Sequence, residues 1–188
     1  MTVGGIDIGK RQFTIAAIPL GEKRPVPAVV TVSTKIKDPI GAAQMLAGRL
    51  RFYLEETSMF GALRSVWLEE PWGKQTAQVR DLSIVLGFLA AQFHSDVAVS
   101  TVSPDEWRGK LGLPRRAHQA DLKAAAIQYA QAATADAETI RQFAGVDRDI
   151  FGQGARAVDW SDHEADAICM ALACRQEIET LARESASR

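Results

Sequence analysis

An aspartate stands inside the first apolar strand of this chain. Gly4-Gly5-Ile6-Asp7-Ile8-Gly9 has the short, branched, glycine-flanked character of a buried strand. Acids are depleted from such strands, because a buried carboxylate without a partner is costly or shifts its pKa until it is neutral. The pattern recurs in the middle of the chain, where Val66-Trp67-Leu68-Glu69-Glu70-Pro71 closes an apolar strand on two carboxylates. A third acidic stretch, Ser161-Asp162-His163-Glu164-Ala165-Asp166-Ala167, precedes the apolar run Ile168-Cys169-Met170-Ala171-Leu172-Ala173. Ser161 with Glu164 fits a capping box, so a helix starts at or just after Ser161. Residues three and four apart share a helix face, which groups His163 with Asp166 and Asp162 with Asp166. Alone, those acids read as complements to the helix dipole. Beside two acidic strands, they read as part of a cluster that shares a cation.

The chain has 188 residues, 47% apolar and 24% charged, with a net charge of −1. That is enough for one domain, taken as 1–188, with a substantial core. No apolar run approaches the roughly 18 residues of a membrane span. The start, with Asp7 and the pair Lys10-Arg11, does not read as a signal peptide. Cys169 and Cys174 fall on different faces of the predicted last helix and form neither a disulfide pattern nor a zinc pattern. A cytoplasmic chain is expected. The near-zero net charge conceals an uneven distribution. Arg108, Lys110, Arg115, Arg116 and Lys123 face one acid, Asp121, in their stretch, whereas seven acids face three arginines from Asp159 onward. A basic stripe beside an acidic site leaves nucleic acid open as a partner.

In chain order, strands are predicted over 3–9, 12–20 and 26–34, joined by short turns into an antiparallel meander. A helix opens at Asp38-Pro39 and runs to about Thr57. The fourth strand, 65–70, follows this crossover and is expected parallel to the first. A long helix over 74–94 leads to a fifth strand, 97–102. Ser103-Pro104 opens a short helix that Gly112-Leu113-Pro114 breaks, and an Ala-rich helix spans about 118–133. Residues 134–160 are the least readable, with a short helix near 137–143 followed by a Gly-containing loop.

This order, with acids on the first strand, the fourth strand and the start of the last helix, resembles the RNase H-like superfamily, and within it the RuvC-type Holliday junction resolvases, particularly divergent phage-like members. The resemblance rests on Ile6-Asp7-Ile8-Gly9, Trp67-Leu68-Glu69-Glu70-Pro71 and His163-Glu164-Ala165-Asp166-Ala167, with Ser103-Pro104-Asp105-Glu106-Trp107-Arg108 as a further likeness. It implies an α/β, RNase H-like fold: a five-stranded mixed sheet, three antiparallel strands followed by parallel ones, flanked by helices.

The resemblance also implies a divalent-metal-dependent endodeoxyribonuclease that resolves four-way junctions by paired symmetric nicking. Such chemistry uses two Mg²⁺ ions about 4 Å apart, with Mn²⁺ able to substitute, and hard oxygen ligands from separate elements. Asp7, Glu69, His163 and Asp166 are the implied catalytic set. Asp7, Glu69 and Asp166 are implied metal ligands, and Asp162 competes with His163 for the fourth position. Glu70 is expected to face the other side of the sheet from Glu69, because strand neighbours alternate. Lys10, Arg11, Lys74, Arg80, Arg108, Lys110, Arg115, Arg116 and Lys123 are candidate phosphate contacts. Trp72 and Trp107 read as packing residues ahead of base-stacking ones. The implied partner is branched DNA, met as a homodimer to which the 74–94 helix contributes, without membrane or organic cofactor, in the cytoplasm of a bacterial host if the chain is phage-encoded. Two alternatives stay open: an RNase H-like nuclease for flaps, forks or RNA–DNA hybrids, and a non-catalytic nucleic-acid-binding protein on the same scaffold. An ATP-using actin-like protein is disfavoured, since no Gly-rich phosphate loop follows a later strand.

Overall fold

Period-two alternation in the first third of the chain builds a sheet with two different faces. In the computed structural model, which describes residues 1–71, 75–134 and 160–187, β1 (Thr2–Gly9), β2 (Gln12–Pro19) and β3 (Ala28–Ser33) form the antiparallel meander. β4 (Leu63–Glu69) and β5 (Ala98–Val102) add in parallel, giving the order β3-β2-β1-β4-β5. The mixed five-stranded sheet expected from the sequence is therefore present, with β1 at its centre. β3 starts later than the sequence suggests, after Pro25 and Pro27; Pro27, lacking a backbone N–H, stands directly before it.

One face is covered by α1 (Pro39–Glu56), the four-residue α2 (Ser58–Gly61) and α3 (Thr76–Ala90). α1 begins where Asp38 Oδ2 accepts a hydrogen bond from the Gly41 N–H at 2.6 Å, with Pro39 in the first turn. It stops at Thr57, whose backbone is extended and whose hydroxyl donates to the Tyr53 carbonyl at 2.7 Å. α2, unanticipated from the sequence, buries Phe60. Between these helices and the sheet lies a dry core of Ile6, Phe13, Ile15, Leu46, Leu50, Leu68, Val85 and Leu89. The apolar stripe of α3 thus packs inward through Val85 and Leu89. The helix is shorter than the 74–94 expected, and Lys74 and Trp72 lie outside the described residues.

The opposite face carries α4 (Pro104–Lys110), α5 (Gln119–Ala133) and α6 (Asp162–Ala186). α6 lies directly on β1 and β2, and α4 and α5 pack against α6. Its body is rich in small residues, with Ala165, Ala167, Cys169, Ala171, Ala173 and Cys174 all buried. Both cysteines are free: Cys169 Sγ donates to the Ala126 carbonyl and Cys174 Sγ to Ser65 Oγ. Gly5 marks the closest approach. A Cβ there would lie 2.3 Å from the Ala167 carbonyl oxygen and 2.6 Å from the Ala171 nitrogen, so only glycine lets the helix backbone settle on this strand. The short helix expected near 137–143 and its following loop lie outside the described residues. No helix among the described residues is long and apolar enough to cross a membrane.

Candidate active site

Strand alternation decides which side chains meet α6. Val3, Gly5 and Asp7 point to the helix, while Ile6 enters the dry core. On β4, Trp67 and Glu69 point the same way as Asp7, and Val66 and Leu68 point away. Because Ile6 pairs with Leu68 in register, Asp7 and Glu69 arrive side by side at the C-terminal ends of parallel strands. The capping box then sets the first turn of α6. Ser161 Oγ accepts from the Glu164 N–H at 3.3 Å, and Glu164 Oε2 accepts from the Ser161 N–H at 2.8 Å. With the start fixed there and the helix seated on Gly5, Asp166 and His163 project towards β1.

Asp7, Glu69, His163 and Asp166 accordingly line one cleft of about 550 Å³. The Asp7 carboxylate, only 8% exposed, is hydrogen-bonded to His163 Nδ1. This bond holds His163 above the usual imidazole value. Burial, and then the charges of Asp7 and Asp166, hold Glu69 well above the usual carboxylate range. The Trp107 indole N–H pulls Glu69 the other way, although it makes no hydrogen bond of normal geometry. Burial and the Asp7 charge push Asp166 up to about 6. One oxygen of Asp166, Oδ1, is buried without a hydrogen-bond partner, and Arg108 Nη2 approaches it no closer than 4.0 Å. Three carboxylates thus repel one another in a half-closed cleft, the situation that a cation relieves.

Holding a hard divalent ion takes oxygen donors of this kind. The orphaned oxygen of Asp166 and the raised Glu69 and Asp166 fit that role in composition. Among the described residues, no three His, Cys, Asp or Glu side chains close on one point as they stand; Asp7 is engaged by His163 instead.

The remaining predicted residues differ in their surroundings, and Asp162 lines the same cleft as the four above. Asp162 is ion-paired with Lys123 of α5 and 43% exposed. The Lys123 hydrogen bond holds the Asp162 carboxyl below its usual range. Glu70 does not face away from the site. It follows the last residue of β4, so strand alternation no longer governs it, and it lines the same cleft as Glu69. Of the basic candidates, Arg108 and Lys123 line the cleft. Arg108 is 12% exposed, with its guanidinium 4.6 Å above the Trp107 ring centroid. Lys10 and Arg80 both pair with Asp81, and Lys110 pairs with Glu177 at 2.5 Å. Arg11 and Arg116 are exposed, and exposed Arg115 packs over Gly109. Trp107 is fully buried against α6 and is a packing residue, as expected. Gly5 was the unread determinant of the site. Its only sequence signal is a Gly-Gly pair inside an apolar strand, a mark of close backbone approach.

Three solved structures repeat the architecture of this chain over nearly its full length. Thermus thermophilus RuvC in complex with a Holliday junction substrate matches with a TM-score of 0.65 at 17% identity, covering 96% of each chain. The fold is that of RuvC. A second Thermus thermophilus RuvC structure matches with a TM-score of 0.64 at 18% identity, again covering 96% of each chain. Fowlpox virus resolvase, in complex with substrate Holliday junction DNA, shares the RuvC-like arrangement with a TM-score of 0.53 at 13% identity, covering 95% of this chain and 99% of that one. The RNase H-like α/β class read from the sequence is therefore the class of the structure. No family model matches the chain, and no curated protein matches it either.

Proposed function

We propose that this protein is a divalent-metal-dependent DNA endonuclease that resolves four-way junctions by paired symmetric nicks. The observation that carries the reading is the meeting of Asp7, Glu69 and Asp166 in one cleft, with Arg108 and Lys123 on its walls. Carboxylates so arranged destabilise one another without a cation, and a binding module has no use for that cost. The neighbours solved in complex with Holliday junctions have the same fold, which supports branched DNA as the substrate class.

Asp7, Glu69 and Asp166 would hold two Mg²⁺ ions, or Mn²⁺ in their place, with His163 as the fourth group at the site. Ions bound there supply an activated water and charge compensation at the leaving oxygen during in-line displacement. The chain's own residues do the rest. Asp7, on the central strand of the sheet, fixes the position of the cluster. His163 orients the Asp7 carboxylate through its Nδ1 hydrogen bond. Arg108, stacked on Trp107, holds positive charge beside Asp166, where a phosphodiester would lie. The cleft is further lined by Gln78 and Leu82 of α3, by Ala117 just before α5 and by Gln119 at its start. Two copies, each cutting one strand of like polarity, account for paired nicks.

The test compares wild type with Asp7→Asn on a labelled four-way junction, a flap, a linear duplex and an RNA–DNA hybrid, in Mg²⁺, Mn²⁺ or EDTA. Symmetric paired nicks on the junction, lost in EDTA and in the variant, are expected. Metal-dependent cutting confined to flaps, forks or hybrids would keep the site and replace the substrate. Junction binding with no cutting of any substrate would overturn the enzyme reading.

A further inference from the structure

Asp162 was one of two contenders for the fourth ligand position, and its surroundings separate it from the other acids. Asp7 and Asp166 have side chains 8% and 16% exposed, whereas Asp162 is 43% exposed. Glu69 is raised by the charges of Asp7 and Asp166, and Asp166 by that of Asp7. The Asp162 Oδ2 atom is instead taken up by Lys123 Nζ, reached across from α5. Lys123 lies close enough to Asp166 to weigh on its carboxylate from the other side. Its ammonium therefore stands at the wall of the cleft, between an exposed acid that holds it and a buried acid that belongs to the cluster.

We infer that Asp162 is a positioning residue for Lys123 and not a metal ligand, and that Lys123, so held, is a phosphate contact for the nucleic-acid strand entering the cleft. An ammonium has three donors, and Asp162 occupies one of them, which leaves the others for a phosphate. A lysine on a four-carbon stem ordinarily samples many rotamers, so a partner at its tip fixes the charge before the substrate arrives. The position of Asp162 favours this use. It is the first residue of α6, directly after the Ser161 cap, so the capping box that orients His163 and Asp166 also fixes the carboxylate that holds Lys123. α5 and α6 pack against each other, so the pair spans two elements already in contact. The ion pair is too exposed to matter much for stability, and its value lies in where it places the charge.

This inference rests on the nuclease reading, and one set of measurements tests the two separately. Binding of a fluorescein-labelled four-way junction is measured in EDTA over a salt series for wild type, Lys123→Gln, Asp162→Asn and the double variant. The Mg²⁺-induced rise in Tm, without DNA, is measured for the same proteins and for Asp166→Asn. Removing an acid from a DNA-facing cleft ordinarily strengthens binding, so the sign is decisive. Lys123→Gln is expected to weaken binding about fivefold and to lower the salt slope by about one. Asp162→Asn is expected to weaken binding about threefold despite its lost negative charge. The double variant should then be no weaker than Lys123→Gln alone. Asp162→Asn should retain the Mg²⁺-induced rise that Asp166→Asn loses. Asp162→Asn binding the junction as tightly as wild type, or more tightly, would overturn the positioning role. Loss of the Mg²⁺-induced rise in Asp162→Asn would make it a ligand and overturn the inference equally. If wild type itself shows neither junction binding nor a Mg²⁺ response, the nuclease reading falls and takes this inference with it.

Discussion

The two faces of the sheet are built for opposite purposes from the same strands. Towards α1 and α3 the strands present Ile6, Phe13, Ile15 and Leu68, large side chains that keep the helices at a normal packing distance. Towards α6 the central strand presents Gly5 and Asp7, and the helix answers with alanines and cysteines. Small residues bring the α6 backbone down onto β1, and only that closeness lets side chains as short as those of His163 and Asp166 reach the neighbourhood of Asp7. One face stabilises through volume. The other gives up volume to place charge.

The largest expected effect tests whether the charged face is the chemical one. Asp7→Asn should lower junction nicking by about a thousandfold or more, the loss expected when a group acting as part of a unit is removed. The far-ultraviolet circular dichroism should stay that of wild type. Leu50→Ala, in the dry core, should do the reverse. It should cost about 3 kcal/mol in urea unfolding and leave nicking per folded molecule unchanged at a temperature well below its Tm. Loss of stability along with activity in Asp7→Asn, or loss of nicking per folded molecule in Leu50→Ala, would break the division of labour.

A matched pair of glycines sharpens the comparison, because neighbours on β1 face opposite ways. Gly5→Ala drives its new methyl group into helix backbone, which cannot step aside, and should cost about 3 kcal/mol. At Gly4 the nearest atoms are Leu63 Cδ2 at 3.0 Å, Val66 Cγ2 at 3.1 Å and the Ala16 carbonyl oxygen at 3.3 Å, contacts that need shifts of only a few tenths of an ångström, so Gly4→Ala should cost about 1 kcal/mol. Equal losses in thermal unfolding would mean that α6 is not seated where Gly5 puts it.

The next effect has a sign that distinguishes charge from packing. Asp166 ionises near 6 in the folded protein and near 3.8 in an unstructured chain. The folded state therefore binds this proton more tightly, and the stability so gained is full below about 3.8 and lost as pH rises through about 6. At pH 7.5 in EDTA the ionised group is a liability on the order of 3 kcal/mol at most. Asp166→Asn should therefore raise Tm by several degrees at pH 7.5 in EDTA, and the gain should shrink towards zero by pH 4. Added Mg²⁺ should narrow the gap by stabilising wild type alone. A variant less stable than wild type at every pH would make Asp166 a packing residue.

Much of this was legible in the sequence because it rests on local periodicity. Alternation fixed the five strands to within a few residues, and Ser161 with Glu164 fixed the start of α6. The acids stood out because they interrupt apolar strands. What stayed hidden depends on tertiary neighbours. The partner of Asp162 sits on a helix 39 positions earlier. Nothing in the local pattern says that Lys10 and Arg80 are already occupied by Asp81, or Lys110 by Glu177. Glu70 was misread because alternation holds only while the strand lasts, and β4 ends one residue before it. α2 was missed since four residues carry too little periodicity to register.

His163 and Asp7 meet across 156 positions of chain. At the pace of translation, roughly 8 to 30 s separate the synthesis of the two. The strands carry only the Asp7–Glu69 pair through that interval, and the four-residue cluster is incomplete until the helix bearing His163 and Asp166 has docked on Gly5. If the proposed cutting activity is right, a chain assembled this way is harmless while it is being made. On that reading the activity waits for the last helix, so fragments cut short of it should carry no trace of cutting.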